Sequence, residues 1–213
     1  MKSQSTNPLH LWPTISVTAT CCTASLRAAL ATNPTRWAAA RSDSAAGRRV
    51  AVLVSDGVEG ASIDVMRKAL LASGATLKII APRLGEIASL DGLVLKVDHS
   101  LLTVSSVLFD AVLIPGGAAS ASALCADPNA VLFVKEAYKY GKSIAAMGDG
   151  ASLVASAARS AGCVDSQFVG QGVAIAAGKT ANAAVAAAFA KRLVQSVAQH
   201  RFPERKDLAT IIA

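Results

Sequence analysis

The chain has 213 residues, 53% of them hydrophobic but only 4% aromatic, with a formal net charge of +7. That length suits one domain with a substantial core plus a tail, and alanine-rich apolar content predicts a tight core of small side chains. The charge is uneven: residues 1–49 hold six basic residues against Asp43 alone, and the rest holds 15 basic against 13 acidic. The folded part therefore has no dense basic face, and both tryptophans, Trp12 and Trp37, lie in the tail, which excludes a nucleic-acid interface. The uncharged apolar segment Ala181 to Ala190 falls far short of the ~20 residues that a membrane-spanning helix needs. Cys21, Cys22, Cys125 and Cys163 match no metal-ligand spacing and read as free thiols in a reducing compartment.

Residues 1–48 show no sustained period and are rich in Ser, Thr, Ala and Arg. That composition predicts a disordered tail or an acid-poor targeting segment, with a truncated leader as a third reading. The folded domain is predicted over 49–213. Val50 to Val54 is a continuous apolar run, as in a strand buried on both faces. Ser55-Asp56-Gly57 turns the chain. Ile63, Met66, Ala69 and Leu70 then recur at helical spacing, and Gly74 stops that helix. Thr76 to Ala81 is the next strand, so the segment is a βαβ unit and predicts a parallel sheet.

Gly85 to Val97 reads as a hairpin excursion turning on Asp91-Gly92. Asp110 to Ile114 is a third core strand, ending in Pro115-Gly116-Gly117. Asp127-Pro128 opens a helix as N-cap and first helical residue, with Val131, Val134 and Tyr138 on one face and Gly141 after its end. Ile144 to Met147 is a fourth buried strand, followed by a sharp turn, Gly148-Asp149-Gly150, and a helix from Ala151 to Ala158. Ala161 to Gly178 predicts one or two short edge strands. Thr180 to Gln199 predicts a long helix with Val185, Phe189, Leu193 and Val197 along its buried stripe. The closing polar segment, His200 to Arg205, is predicted to pack on the surface.

Strand, tight turn and helix at 144–158 are the frame of a nucleophile elbow, which needs Ser or Cys at its apex. The apex here is Gly148, which has no side chain to attack with. Asp149 reads as a cap of the helix that follows, with an aspartate nucleophile as the alternative. Gly116-Gly117, at the carboxyl end of the third strand, is either a turn whose amides face an oxyanion or a plain tight turn. Glu59 and Ser62 follow the first strand at the same end, and Glu59 reads as a solvated acid of the helix's first turn. His10, His99 and His200 suggest neither a triad nor a metal site.

Several stretches carry a resemblance: Arg49-Val50-Ala51-Val52-Leu53-Val54-Ser55-Asp56-Gly57-Val58-Glu59-Gly60, Ser106 to Gly117, Glu136-Ala137-Tyr138-Lys139 and Gln199-His200-Arg201. In this order they resemble the C-terminal domain of large-subunit catalases, within the class I glutamine amidotransferase-like superfamily beside the PfpI/ThiJ proteins, over about residues 48–213. The resemblance implies a flavodoxin-like three-layer α/β/α sandwich with a mainly parallel sheet. No G-x-G-x-x-G stands at Val54 to Val58 to favour a Rossmann nucleotide binder. In PfpI-type relatives the elbow cysteine falls at Gly148 and its partner glutamate at about Ser62, so the resemblance implies no catalytic residues in this chain. It implies instead a vestigial elbow (Gly148, Asp149), a vestigial oxyanion turn (Gly116, Gly117) and a vestigial acid position (Ser62, with Glu59 nearby).

The function so implied is a non-catalytic domain with a structural or association role linked to a catalase and the oxidative-stress response. The implied partner is a catalase core, another protein or a second copy of the chain. No cofactor or metal is expected here, haem belonging to an associated core; nucleic acid and membrane are not expected partners. The implied location is cytoplasmic, with organelle targeting by the tail as the alternative. Two further readings are a small-molecule hydrolase or glyoxalase/deglycase-type enzyme with a substituted nucleophile, and hydrogen peroxide breakdown carried over from catalases. No Arg-x-Phe-x-Tyr haem-ligand motif occurs in the chain, and 48 leading residues are too few for a haem core.

Overall fold

The computed structural model describes residues 44–162, 172–176 and 183–202, together with Arg205. The expectations for residues 1–43, including Cys21, Cys22, His10 and the tryptophans, and for Cys163 lie outside the described residues.

Elements follow the chain as β1 (Arg49–Leu53), α1 (Gly60–Ala72), β2 (Thr76–Ala81), β3 (Glu86–Ala88), β4 (Val94–Lys96), β5 (His99–Ser100) and β6 (Ala111–Ile114). They continue as α2 (Ala118–Ala126), α3 (Pro128–Lys139), β7 (Ser143–Met147), α4 (Ala151–Ser160), β8 (Val173–Ala176) and α5 (Ala183–Gln199). Six strands form one sheet in the order β5-β2-β1-β6-β7-β8, every neighbouring pair parallel. β3 and β4 form a separate antiparallel hairpin. The direction of strand addition reverses between β1 and β6, which is where open α/β sheets leave a crevice at their carboxyl ends.

The strands are apolar throughout because both faces of the sheet are covered. Val50 and Val52 of β1, Ala111 and Leu113 of β6, and Ala145 and Met147 of β7 pack toward α1 and α5, meeting Ile63, Met66, Leu70, Phe189 and Leu193. The alternate residues Ala51, Leu53, Val112, Ile114, Ile144 and Ala146 pack toward Leu124 of α2, Phe133, Val134 and Tyr138 of α3, and Leu153 and Val154 of α4. Each large side chain so buried contributes ~1.5–3 kcal/mol, and the three-layer α/β/α sandwich follows from the two clusters.

Local signals act where the sequence places them. The Asp127 carboxylate accepts from the N–H of Asn129 at 2.9 Å with Pro128 as the first helical residue. α1 and α3 close in the same way: Gly74 N–H donates to Leu71 O at 3.0 Å and Ala75 N–H to Leu70 O at 2.9 Å, as Gly141 N–H does to Tyr138 O at 3.0 Å and Lys142 N–H to Ala137 O at 2.9 Å.

Four details differ from expectation. Ala45 is already buried in the core, four residues ahead of the expected start at Arg49. Gly117 leads directly into α2, whose sequence, AASASALCA, has no polar face to announce a helix. Along α5 the buried stripe runs through Ala186, Phe189, Ala190, Leu193 and Val197, whereas Val185 is exposed. Two residues of the closing segment do not lie on the surface: Phe202 and Arg205 are buried, while Arg201 is exposed. No helix among the described residues is long and apolar enough to cross a membrane.

Candidate functional site

Three turns leave the carboxyl ends of β1, β6 and β7, and glycine allows them to touch. β7 runs into a 3-10 turn, Gly148–Gly150, and then into α4. A Cβ on Gly150 would lie 2.6 Å from the carbonyl oxygen of Pro115 and 2.8 Å from Ile114 Cγ2. A Cβ on Gly117, whose φ is +121°, would lie 2.4 Å from the carbonyl oxygen of Gly57 and 3.0 Å from Val58 Cα. No side chain fits at either position, so the elbow turn abuts the end of β6, and the turn after β6 abuts the turn after β1.

Backbone bonds knit the same turns. Glu59 N–H donates to Gly116 O at 3.0 Å, and Ala121 N–H to Gly117 O at 2.9 Å. The Ser62 hydroxyl, buried in the first turn of α1, donates to Glu59 O at 2.8 Å. Glu59, Ser62, Gly116 and Gly117 are thus brought together, with Gly148 and Asp149 on the adjoining turn of the same sheet edge. The carbonyl of Gly116 is engaged by α1, and Gly117 serves as the cap residue of α2.

The apex is Gly148, half-buried, with φ +50°. Asp149 is exposed and does not occupy the cap position of α4, which is Gly150. The Asp149 group that is used is its backbone carbonyl, which accepts the Ser152 hydroxyl at 2.7 Å. Glu59 likewise precedes α1 as its cap residue, with no side-chain bond, rather than sitting in the first turn. Two polar contacts at this edge escaped sequence reasoning: Ser120 Oγ accepts from Ser55 N–H at 2.9 Å, and the Cys125 thiol lies 3.6 Å from Ser152 Oγ. Both depend on α2, which sequence periodicity does not reveal.

A pocket of about 410 Å³ opens beside these turns, lined by Ser55, Asp56, Ala81, Pro82, Arg83, Ile87, Ala123, Ala126 and Asp127. Its polar pair, Arg83 Nη2 and Asp56 Oδ2, is already closed at 2.8 Å. Gly148, Asp149, Gly116, Gly117, Glu59 and Ser62 do not line it. Among the described residues no three of His, Cys, Asp and Glu gather as a metal-holding group.

Charged side chains gather at the opposite end of the sheet. Lys142, just ahead of β7, is buried, and its ammonium donates to Ser106 O. Burial first, and then the Arg201 guanidinium, push the Lys142 amine down from 10.5 to about 8, against the pull of Asp110 and Glu136. Arg205 is buried beside it, donating to Tyr138 O at 2.9 Å and Lys142 O at 2.6 Å, with its guanidinium 4.5 Å above the Tyr138 ring. Burial lowers the Arg205 guanidinium to about 10. His200 Nε2 lies 2.9 Å from Asp110 Oδ1. Burial, then Arg48 and Arg201, hold that imidazole below its ordinary value despite Asp110, so near neutral pH the contact is a hydrogen bond of an uncharged ring.

Comparison with known proteins places the geometry. Residues 46–207 match the family described as the C-terminal domain found in long catalases. The chain is similar to catalase HPII of Mycobacterium avium, 36% identical over 165 residues, covering 77% of this chain and 23% of that protein. It is similar to catalase-2 of Bacillus subtilis, 33% identical over 175 residues, covering 82% of this chain and 23% of that protein. The chain therefore spans under a quarter of the length of these curated relatives. In fold it resembles a ThiJ/PfpI domain protein from Brachyspira murdochii, with a TM-score of 0.58 at 18% identity over 70% of this chain and 95% of that one. It also resembles oxidised DJ-1 of Toxoplasma gondii, with a TM-score of 0.59 at 17% identity over 78% of this chain and 96% of that one.

Proposed function

Because this chain belongs to the family of C-terminal domains found in long catalases, we propose that it acts by association, accompanying or stabilising a haem catalase core in the handling of hydrogen peroxide. It performs no chemistry at its own elbow. The observation that carries this reading is the apex: Gly148 supplies no nucleophile, and its backbone, at φ +50°, is one that glycine adopts without strain.

The surrounding geometry supports it. Ser62 holds a backbone carbonyl where a partner acid would be needed. The turns at 57 and 117 are packed onto one another and the turn at 150 onto the end of β6. Tyr138 is buried with the Arg205 guanidinium over its ring, which supports assigning haem to an associated core. In this reading peroxide turnover belongs to the core, and this chain contributes surface.

The experiment is co-purification of the chain from its native host, followed by measurement of the thermal half-life of catalase activity with and without it. A catalase polypeptide in the eluate, with a longer half-life in its presence, is the expected result. Recovery as a lone monomer with no effect on catalase stability overturns the reading.

A further inference from the structure

The hairpin β3–β4 folds back beside α1, and the two leave a pocket of about 430 Å³ between them. Its lining is mostly polar, with Arg67, Lys96 and Asp98 as the charged groups and Leu71 of α1, Leu77 of β2 and Val94 of β4 as apolar ones. Leu71 and Val94 stay 57% and 64% exposed, although both are large apolar side chains in reach of one another's surface.

The polar groups are unevenly satisfied. Asp98 is committed: Oδ1 accepts from Lys78 Nζ at 3.1 Å and Oδ2 from Ile79 N–H at 2.8 Å. Burial alone would raise this carboxyl, but the Ile79 N–H and the Lys78 ammonium outweigh it and hold it below the usual carboxylate range. Arg67 and Lys96 have no ion-pair partner among the described residues. The Nε of Arg67 is buried with no hydrogen-bond acceptor at all. A buried guanidinium donor without an acceptor is costly to keep, and turning its Nε–Nη edge into the pocket toward a carboxylate relieves that cost in bidentate geometry.

We propose that this pocket is a docking site for another polypeptide, whose aspartate or glutamate side chain pairs with Arg67 while flanking apolar residues cover Leu71 and Val94. Charge complementarity selects the occupant. One guanidinium with Lys96 beside it suits a single carboxylate. The proposal deepens the association argued above, and rests on it only for the identity of the partner as a catalase core.

The test follows the Arg67 Nε–Hε resonance of the ¹⁵N-labelled full chain during titration with N-acetyl-Leu-Glu-Leu-amide. N-acetyl-Leu-Gln-Leu-amide, sodium acetate and anionic phosphatidylglycerol vesicles serve as comparisons. A saturable shift with the glutamate peptide, at least tenfold weaker with the glutamine peptide and with acetate, is expected. Arg67→Met and Val94→Glu should each weaken the glutamate peptide at least tenfold; Val94 is exposed, so its variant keeps the fold. Equal responses to the glutamate and glutamine peptides or to acetate, a preference for vesicles, or undiminished binding by Val94→Glu overturns the proposal. Catalase co-purification that survives Val94→Glu also overturns the pocket. A peptide response without catalase co-purification overturns only the partner's identity.

Discussion

The two ends of the same parallel sheet are built from opposite materials. At the carboxyl end, glycine-bearing turns after β1, β6 and β7 lie against one another and are held by backbone bonds such as Glu59 N–H to Gly116 O. At the amino end, charged side chains from residues far apart in the chain gather: Lys142 and Arg205 are buried, and the half-buried His200 and Asp110 pair beside them. The carboxyl turns are held by backbone packing, whereas the amino end depends on particular side chains, the Lys142 ammonium and the Arg205 guanidinium satisfying backbone carbonyls.

Four perturbations break or sharpen that contrast. Gly117→Ala should be the most damaging, because its Cβ would stand 2.4 Å from a backbone oxygen at a φ of +121°. A loss of about 3 kcal/mol or more is expected from strain and overlap together, read as a fall in the urea midpoint; a wild-type midpoint would show that the carboxyl turns are not close-packed. Arg205→Ala follows at about 2 kcal/mol, since the carbonyls of Tyr138 and Lys142 lose a buried donor. An unchanged midpoint in that variant would remove the amino-end cluster from the account.

The third perturbation is pH. The Lys142 amine loses its proton at about 8 in the folded domain and at 10.5 when unfolded. Between those values unfolding takes up a proton, so this residue makes stability rise with pH, by roughly 1 kcal/mol per unit, with no contribution to the slope below or above the window. Lys142→Met should abolish that rise in denaturation midpoints measured from pH 7 to 10. The smallest effect is expected at Gly148→Cys, which places a side chain at φ +50° for about 1 kcal/mol. Its thiol, at the start of a helical turn, should alkylate near neutral pH faster than Cys125; a profile like that of free cysteine would show that Gly148 is not an elbow apex.

Much of the architecture was legible in the residues because its causes are local or periodic. Continuous apolar runs at 50–54, 111–114 and 144–147 require cover on both faces, and that demands a parallel sheet between helical layers. Asp127-Pro128, Gly74 and Gly141 mark helix ends through bonds made within a few residues. The strand, turn and helix around Gly148 also need only the local order of residues there. What stayed hidden depends on groups distant in sequence. α2 is helical although its alanines and serines show no face, because Leu124 packs under the sheet and Gly117 has room only against Gly57. Ala186 rather than Val185 points inward because the pitch of α5 is set by its packing on α1 and the sheet. Arg205 reads as a surface charge, and nothing local marks Lys142 for burial, because their partners, the carbonyls of Tyr138 and Ser106, lie 67 and 36 residues away. Local propensity can specify a strand or a cap, but burial of a charge is decided only when tertiary structure supplies the carbonyls that replace water.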